Sequence, residues 1–260
     1  MDETVRTDAR WLREEQYRTA ENLGARIALH RFSTAQDNWY HWILDRLDLS
    51  PTARVLELGA GRGDLWRENA GRVPPGWRLT LTDLSPGMLE AARNAGVEAE
   101  LSLVDAHELP FEDDSFEGVV ANHMLYHLAD RSKALGEIRR VLVGGGRLFA
   151  TTIGAGHLHE LRELARRHAP GYEWSESHVR FGLETGTEQL RAVFVDVELH
   201  RFEDVLEVTD ADAVVAYIDS MSGDNTADKD AVRNDVAAEI ARSGSFSVRK
   251  ATGLFRASKH

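Results

Sequence analysis

Short apolar runs alternate with segments of helical periodicity between about residue 54 and residue 153 of this chain. The runs are rich in leucine and β-branched residues and fit buried strands, whereas the intervening segments repeat apolar residues at the spacing of one helix face. We expect strands at 54–58, 78–83, 98–104, 117–121 and 146–152, and helices near 64–71, 86–95 and 131–142. This alternation is typical of successive βαβ units and predicts an α/β fold on a parallel sheet.

The two flanks of this region follow other patterns. Apolar positions at helical spacing over 9–31 and 37–47 predict two helices before the first strand. After residue 153 the sequence predicts a helix, an aromatic loop, a strand, two helices and a last strand, at 157–168, 169–186, 193–207, 210–221, 227–242 and within "SFSVRKATGLFRAS". The glycines of "VGGG" at 143–146 are expected to end the preceding helix and turn the chain into the next strand.

Composition narrows the class of protein. The net charge is −12 and both signs are mixed along the chain, which disfavours nucleic acid as a partner because such a surface repels phosphate. The chain has no cysteine, which excludes disulfides, thiolate nucleophiles and thiolate metal ligands. No apolar run approaches the length of a membrane span and the charged N-terminus does not resemble a secretory signal, so we expect no membrane partner and a cytoplasmic location.

The first apolar run, "VLEL", ends in a glycine-rich turn at 59–63 that leads into a helix. Missing Cβ atoms at such a turn let a ligand lie against the backbone near a helix N-terminus. The next three strands end in polar residues, namely Asp83, Asp105, and Asn122 with His123. Because open parallel sheets bind ligands at the carboxyl ends of their strands, we expect these residues to surround one site.

The spacing and charge of the turn bear on the identity of the ligand. A dinucleotide fold spaces its glycines as GxGxxG, whereas Gly59, Gly61 and Gly63 are spaced GxGxG. Glu57 and Asp64 flank them, and carboxylates are poor neighbours for a pyrophosphate but suit an ammonium or sulfonium charge. The pattern therefore favours S-adenosylmethionine over NAD.

Four segments together resemble the class I S-adenosylmethionine-dependent methyltransferases, in particular their small-molecule branch (methyltransferase domain 11/25-like). "VLELGAGRGD" resembles the first motif of that family, "LTLTDLSPGMLEAAR" the second, "LVDAHELPFEDDSFEGVVANHMLYHL" the adenine and methionine segment, and "ALGEIRRVLVGGGRLFATT" the fifth-strand segment. The resemblance implies a Rossmann-like, seven-stranded, mostly parallel sheet with an antiparallel last strand. It further implies an N-terminal helical lid at 1–50, a methyltransferase domain at 51–260, and small helical insertions toward the methyl acceptor at about 154–192 and 208–243.

The same resemblance implies roles for individual residues. Asp83 would bind the ribose hydroxyls, Asp105 the adenine amine, and Asn122 the methionine amino group through its carbonyl. The remaining cofactor contacts would come from Glu57, Gly59, Ala60, Gly61, Gly63, Leu84, Met88, Ala106 and His123. Two features depart from the family pattern: "VGGG" replaces the usual proline-containing turn, and no NPPY-like tetrad follows the fourth strand. The missing tetrad argues against methylation of nucleic-acid bases.

Contacts to the methyl acceptor are expected outside the sheet. Members of the family fold an N-terminal helix over the cofactor, and Asn22, Arg26 and His30 recur at four-residue spacing on one face of the predicted helix. For these three residues the alternative is a solvated helix face. The aromatic loop that contains His178 is expected to form a wall for the acceptor, and the alternative is a loop that its aromatics merely anchor. The expected substrate-binding residues are Tyr17, His30, His127, Tyr172, Trp174 and Phe181.

Two histidines near the end of the fourth strand raise the question of a metal. His123 and His127 would lie on one face if the segment were helical, but no third ligand follows nearby, so we expect no metal. Methyl transfer mainly needs aligned reactants in a dry site, and positioning of this kind contributes roughly 7 to 11 kcal/mol. Tyr17 and His127 are therefore expected to serve catalysis mostly by positioning.

The expected function is methyl transfer from S-adenosylmethionine to a nitrogen or oxygen of a small metabolite, such as a natural-product intermediate. An NAD-dependent oxidoreductase is the first alternative, and the glycine spacing disfavours it. A non-catalytic module that binds the cofactor or S-adenosylhomocysteine is the second. The sequence leaves open the acceptor, the choice between nitrogen and oxygen, the use of a general base and the oligomeric state.

Overall fold

The computed structural model describes residues 28–168, 177–222 and 228–260. Most of the helix predicted at 9–31 and the first part of the aromatic loop, 169–176, lie outside these residues. The predictions for Tyr17, Asn22, Arg26, Tyr172 and Trp174 fall in the regions that are not described, and the side chain of His178 is not described either.

In the described part of the chain, seven strands form one mixed sheet. They are β1 (Arg54–Leu58), β2 (Arg78–Asp83), β3 (Glu100–Leu103), β4 (Phe116–Asn122), β5 (Leu142–Ile153), β6 (Val195–Val208) and β7 (Phe246–Ser258). Their order is β3-β2-β1-β4-β5-β7-β6. The first five strands pair in parallel, and β7 pairs antiparallel with both β5 and β6. The predicted Rossmann-like sheet with an antiparallel last strand is confirmed.

Nine helices connect and flank these strands within the described ranges. They are α1 (Trp39–Leu44), α2 (Asp64–Glu68), α3 (Pro86–Asn94), α4 (Arg131–Val141), α5 (His159–His168), α6 (Ser177–Arg180), α7 (Gly186–Arg191), α8 (Ala211–Ser222) and α9 (Lys229–Ser243). Side-chain oxygens of Asn38, Ser85, Asp130 and Asp228 accept hydrogen bonds from first-turn backbone N–H groups. These caps fix where α1, α3, α4 and α9 begin, because they satisfy donors that the helix itself leaves unpaired.

Four features differ from the sequence prediction. Helix α2 is shorter than the predicted 64–71. The sequence does not predict α6 or α7, since four and six residues give too little periodicity to recognise. The "VGGG" segment belongs to β5, which begins at Leu142 directly after α4, and it is not a turn before the strand. The pairing register with β4 shifts there, and the backbone N–H of Gly145 donates to the carbonyl of Lys259 at 3.1 Å. Glycine allows this irregular stretch because Gly145 adopts a φ of +75°.

The sheet is covered on both faces, so neighbouring strand residues point into different cores. Val120 and Phe149 pack with Trp42 of α1 on one face. Val119 and Leu148 pack on the other face with helix α4. Helix α1 is thus part of the central core and brings its aromatic residues to the carboxyl ends of the strands.

Strands β6 and β7 extend beyond the rest of the sheet. Their pairing continues to Val208 opposite Phe246, whereas β5 stops opposite Thr252. The projecting part packs against α5, α8 and α9 in a separate apolar core that includes Leu206 and Leu29. No helix in the described ranges is both long and apolar enough to cross a membrane.

Candidate active site

A cavity of about 390 Å³ opens at the carboxyl ends of β1, β2 and β4. The polar residues that were expected to end three strands, Asp83, Asp105, Asn122 and His123, all line it. Every residue with a predicted cofactor contact except Gly63 is also in its wall: Glu57, Gly59, Ala60, Gly61, Leu84, Met88 and Ala106. The structure therefore brings together residues that lie up to 66 positions apart in the sequence (57 to 123).

The glycine-rich turn shapes one wall of the cavity. Gly61 has a φ of +57°, and a Cβ placed on it would meet no atom within 4 Å. Gly63 has a φ of +70°, and a Cβ there would come within 2.9 Å of Val97. Gly63 is thus required for packing of the turn, whereas the open space beside Gly61 belongs to the cavity and suits a ligand that lies against the backbone.

Asp83 is held by backbone hydrogen bonds at the end of β2. Its carboxylate accepts from the N–H of Gly61 at 2.9 Å and from the N–H of Ser85 at 2.8 Å. Burial raises the pKa of Asp83 above its usual value, and the hydrogen bonds from Ser85, Gly61 and Leu84 act in the opposite direction. The fixed carboxylate can accept hydrogen bonds from a ligand that carries neighbouring hydroxyls.

Glu57 is a buried carboxyl group, 1% exposed, in the wall of the cavity. The indole N–H of Trp66 donates to it at 2.5 Å. Burial raises the pKa of Glu57 to about 8, while the Trp66 hydrogen bond lowers it and the nearby Asp83 and Asp64 raise it. A positively charged ligand in the cavity would stabilise the ionised carboxylate and offset the free-energy cost of burying its charge. The site therefore fits a cation better than a pyrophosphate.

Asp105 lies at the end of the cavity near β3. Its carboxylate accepts from the backbone N–H of His107 at 2.9 Å and faces the ring Nδ1 at 2.6 Å. Although burial raises the pKa of Asp105, these contacts with His107 hold it below its usual value. The carboxylate stays ionised near neutral pH and can accept from an exocyclic amine, while buried Met88 and Ala106 supply apolar walls.

His123 follows β4 with a φ of +53°, which is unusual for a residue with a side chain. Its backbone N–H donates to both the carbonyl and the hydroxyl of Thr151, and that hydroxyl in turn donates to the side chain of Asn122. The imidazole lies 5.6 Å from the ring of Trp39 and 6.3 Å from that of Tyr126. Strained backbone persists where the surroundings fix it, and here it turns the imidazole toward the cavity.

His127 also lines the cavity, at the end of a short 3-10 turn, Leu125–His127. The ring of Tyr126 lies 4.5 Å from the His127 ring in an edge-to-face arrangement, and Arg180 donates to the Tyr126 carbonyl at 2.8 Å. His127 and His123 are thus near one another in the wall, but the turn between them is not an α-helix. No group of three or more His, Asp or Glu side chains in the described ranges is placed to hold a metal ion.

Two predicted acceptor residues are not in the cavity wall. Phe181 is fully buried and packs 5.7 Å from the ring of Phe255, because α6 and α7 fold the aromatic loop onto the sheet there. The prediction that Phe181 binds substrate does not fit this position. His30 lies at the start of the described chain, in a group of polar side chains over β6 and β7.

Several cavity residues were not expected from the sequence. They are Trp39, Tyr40, Arg62, Ser85, His107, Met124, Tyr126 and Leu128. For the cluster "WYHW" the sequence predicts only a helix, whereas two adjacent aromatics there, Trp39 and Tyr40, line the cavity. Burial first, and then the charge of Asp64, raise the pKa of Tyr40 to about 12, so its hydroxyl keeps its proton and can donate.

Comparison with known proteins identifies a methyltransferase domain in part of this chain. Residues 56–150 match the family model described as a methyltransferase domain. The ubiquinone/menaquinone biosynthesis C-methyltransferase UbiE of Bordetella avium is 32% identical over 145 residues, which are 54% of this chain and 54% of the relative. The chain spans about half the length of the curated relatives it matches.

Solved structures show the same fold at low sequence identity. The YcgJ protein of Bacillus subtilis is 22% identical with a TM-score of 0.59, covering 85% of this chain and 97% of that one. The phosphoethanolamine N-methyltransferase 2 of Haemonchus contortus, in complex with phosphomonomethylethanolamine and S-adenosylhomocysteine, is 20% identical with a TM-score of 0.55, covering 96% and 59%. Residues 56–150, which match the methyltransferase domain, also build most of the cavity wall, and the sheet order is that of the class I methyltransferase fold.

Proposed function

We propose that the protein transfers a methyl group from S-adenosylmethionine to a nitrogen or oxygen of a small organic acceptor. The observation that carries the proposal is the joint placement of Glu57, Gly61 and Asp83 in one cavity at the carboxyl edge of the sheet. A buried carboxyl beside open backbone and a fixed carboxylate suits a ligand that combines a positive charge with ribose hydroxyls.

The residues present fit this cofactor in specific ways. Asp83 would accept from the ribose hydroxyls, Asp105 from the adenine amine, and Met88 would pack on the adenine ring. Glu57 would lie near the positively charged methionine portion, whose charge offsets the burial of the carboxyl. The bound cofactor supplies an electrophilic methyl group on a sulfonium. The chain's own contribution is to orient the acceptor in line with that methyl group and to exclude water.

Positioning rather than proton abstraction is the favoured role of the histidines. Burial and then the charge of Lys250 lower the pKa of His123 to about 4, so its imidazole is a weak base at neutral pH. General bases work best with a pKa near the operating pH. His123 would therefore hold and orient the acceptor next to the cofactor, and His127 would do so from the same cavity wall.

The N-terminal segment remains a predicted lid. Residues 28–50 pack on the sheet through α1 and through an antiparallel bridge of Ser33 with Leu206. Tyr17 is proposed to close the cavity from the preceding part of the chain. On this proposal the methyltransferase domain begins near residue 51, and the elements at 154–192 and 208–243 face the acceptor.

Calorimetry followed by a transfer assay tests the proposal. S-adenosylmethionine and S-adenosylhomocysteine should bind, and NADH should not. Labelled methyl should then pass to small amines or hydroxyl compounds. The named activity of the Bordetella avium relative is C-methylation, so methyl found on carbon would replace the nitrogen or oxygen assignment. Cofactor binding without turnover on any acceptor would favour a non-catalytic binding module, and binding of NADH alone would overturn the proposal.

A further inference from the structure

Beyond the cofactor cavity, a group of basic side chains lies over β6 and β7 at the same edge of the sheet. Its members are His30, His123, His157 and Lys250, which we call the basic cluster. Lys250 on β7 lies opposite Asp204 on β6, and the ammonium is 2.6 Å from the carboxylate. Both side chains are almost fully buried, 8% and 0% exposed.

Contacts connect this cluster to the cavity. His123 contacts Trp39, Trp39 packs 5.1 Å from the ring of Phe202, and the Lys250 ammonium lies 5.6 Å from that same ring. On the other side, the backbone N–H of Ala251 donates to the ring of His157 at 3.3 Å. The cluster therefore begins at the cavity wall and continues inward from it, on the side away from Asp83.

His30 supplies an unused polar atom. Its Nδ1 is buried and has no hydrogen-bond partner among the described residues. Asp204 is occupied on its other oxygen, which accepts from the hydroxyl of Ser33 at 2.8 Å and the N–H of Ala35 at 3.2 Å. Buried polar atoms are normally paired, so this unpaired imidazole nitrogen indicates a place for a polar ligand group within the cluster, which reaches the cavity wall through His123.

Charge differs between the two halves of the site. Glu57, Asp64 and Asp83 stand on the cofactor side. On the other side, burial and then Lys250 lower the pKa of His30 to about 4, with Asp204 acting in the opposite direction. Burial, the neighbouring imidazoles, Lys250 and Arg162 lower the pKa of His157 well below its usual value. The groups facing the cluster thus disfavour added positive charge there, even though Asp204 is present.

We propose that the basic cluster is the acceptor subsite and that it takes an acceptor through an anionic oxygen, such as a phenolate, enolate or carboxylate. This inference rests on the proposed methyltransferase function and narrows its substrate class. The neutral imidazoles and the Lys250 ammonium donate hydrogen bonds to the oxygen, and an ammonium has three donors of which one faces Asp204.

The charges of such a transfer balance. The acceptor oxygen forms a bond to the methyl carbon with its own electron pair, while the carbon–sulfur bond breaks and leaves its pair on sulfur. The negative charge of the acceptor and the positive charge of the sulfonium cancel, and no proton is moved in the step. An acceptor that arrives ionised thus removes the need for a strong base among the histidines.

The test uses 4-nitrophenol as a probe, because its phenol and phenolate forms absorb at different wavelengths. Calorimetry first establishes that the protein binds S-adenosylhomocysteine, and the probe is then titrated into the loaded protein below the pKa of the free probe. We expect the bound probe to have a phenolate-to-phenol ratio at least about tenfold higher than the free probe, which corresponds to one pKa unit. Probe that binds as the neutral phenol, or that does not bind, overturns the proposal.

Variants locate the effect. A single Lys250→Met change would leave a buried carboxylate unpaired, so the test variant is the double Lys250→Met with Asp204→Asn, which removes both charges and keeps an acceptor for Ser33. It should lose the tenfold effect. Lys259→Met is the matched control, since Lys259 pairs with Asp114 at the opposite edge of the sheet and should leave the effect intact. An unchanged effect in the double variant contradicts the proposal.

A second measurement covers the case in which the double variant does not fold. NMR of histidine-labelled, loaded wild-type protein should show that the probe shifts the signals of His30, His123 and His157, assigned from single His→Gln variants. Unshifted signals overturn the proposal. If S-adenosylhomocysteine itself does not bind, the proposed function fails, whereas its binding without any probe effect defeats only the acceptor subsite.

Discussion

The backbone N–H of Gly61 donates a hydrogen bond to the carboxylate of Asp83 at 2.9 Å, which ties the glycine-rich turn after β1 to the end of β2. Both residues line the wall of the same cavity. One carboxylate oxygen thus fixes the turn and the other lies toward Ser85, so the same side chain supports the loop and is available to a ligand.

Asp83→Ala should weaken binding of S-adenosylmethionine by about 1.5 to 3 kcal/mol, the usual range for hydrogen bonds to a charged group. Calorimetry measures the change. Asp105→Ala should weaken binding of S-adenosylmethionine by less, because an adenine amine is a neutral donor. Equal affinity in wild type and Asp83→Ala would remove Asp83 from the ribose site.

Gly61→Ala should abolish cofactor binding while costing about 1 to 2 kcal/mol of stability, because an L-residue with left-handed φ is strained by that amount. Gly96→Ala is the matched control: Gly96 has a φ of +74°, open space around its Cβ position, and no place in the cavity wall. Both variants should lose similar stability in thermal unfolding, and only the first should lose the ligand. Normal binding by Gly61→Ala would mean that the cofactor does not approach this turn.

Glu57 should release a proton when the cofactor binds. Its pKa of about 8 in the free protein keeps the carboxyl largely neutral at pH 7, and a bound positive charge would ionise it. Calorimetry in two buffers with different ionisation enthalpies measures the released proton, and the affinity should rise with pH up to about 8. Glu57→Gln should bind more weakly and show no release.

The same carboxyl should reduce stability at high pH. Its folded pKa lies above its unfolded value of about 4.5, so its contribution to stability is present below pH 4.5 and is lost as the pH rises toward 8. As the pH rises from about 4.5 to about 8, ionisation of the buried Glu57 should therefore lower the free energy of unfolding of the ligand-free protein. Glu57→Gln should have the higher melting temperature at pH 8. A lower melting temperature in that variant would show that the carboxyl is already ionised and paired.

The basic cluster should make the protein acid-sensitive. His30 and His123 have a folded pKa of about 4, below the unfolded value of 6.5. The unfolded chain gains protons first, so the stability that these residues confer is present above pH 6.5 and declines as the pH falls toward 4. Denaturant unfolding between pH 4 and 7 measures the decline. In His30→Gln the free energy of unfolding should fall less steeply with decreasing pH. An NMR titration of wild-type protein in which the His30 or His123 imidazole gains its proton near pH 6.5 would contradict the prediction.

His127→Gln should lower the transfer rate only modestly. The variant keeps a hydrogen-bonding side chain but cannot titrate, and general-base catalysis typically contributes about a hundredfold or more. The pH profile of the rate should follow the pKa of the acceptor. A thousandfold loss together with the disappearance of a limb near pH 6.5 would identify His127 as a base and refute positioning.

The sequence alone determined most of the sheet and the polar residues that line the cavity at its carboxyl edge. β1 and β2 match their predicted bounds, and Glu57, Asp83, Asp105 and Asn122 line one cavity as expected. The physical reason is that each of these residues sits at or beside the end of a local strand pattern, and parallel strands bring all their carboxyl ends to a single edge.

Only the tertiary structure decided which residues lie at the proposed acceptor subsite. Phe181 follows the short helix α6, and His30 begins a 3-10 turn, His30–Phe32. The positions of both depend on distant packing, so periodicity could not tell that one is in the core and the other beside Lys250 and Asp204. The Lys250–Asp204 pair itself depends on the antiparallel register of β6 with β7, across 46 positions of sequence (250 minus 204). Because two helices and not a tight turn join β6 to β7, turn geometry does not fix this register, and it depends on how both strands pack against the rest of the protein.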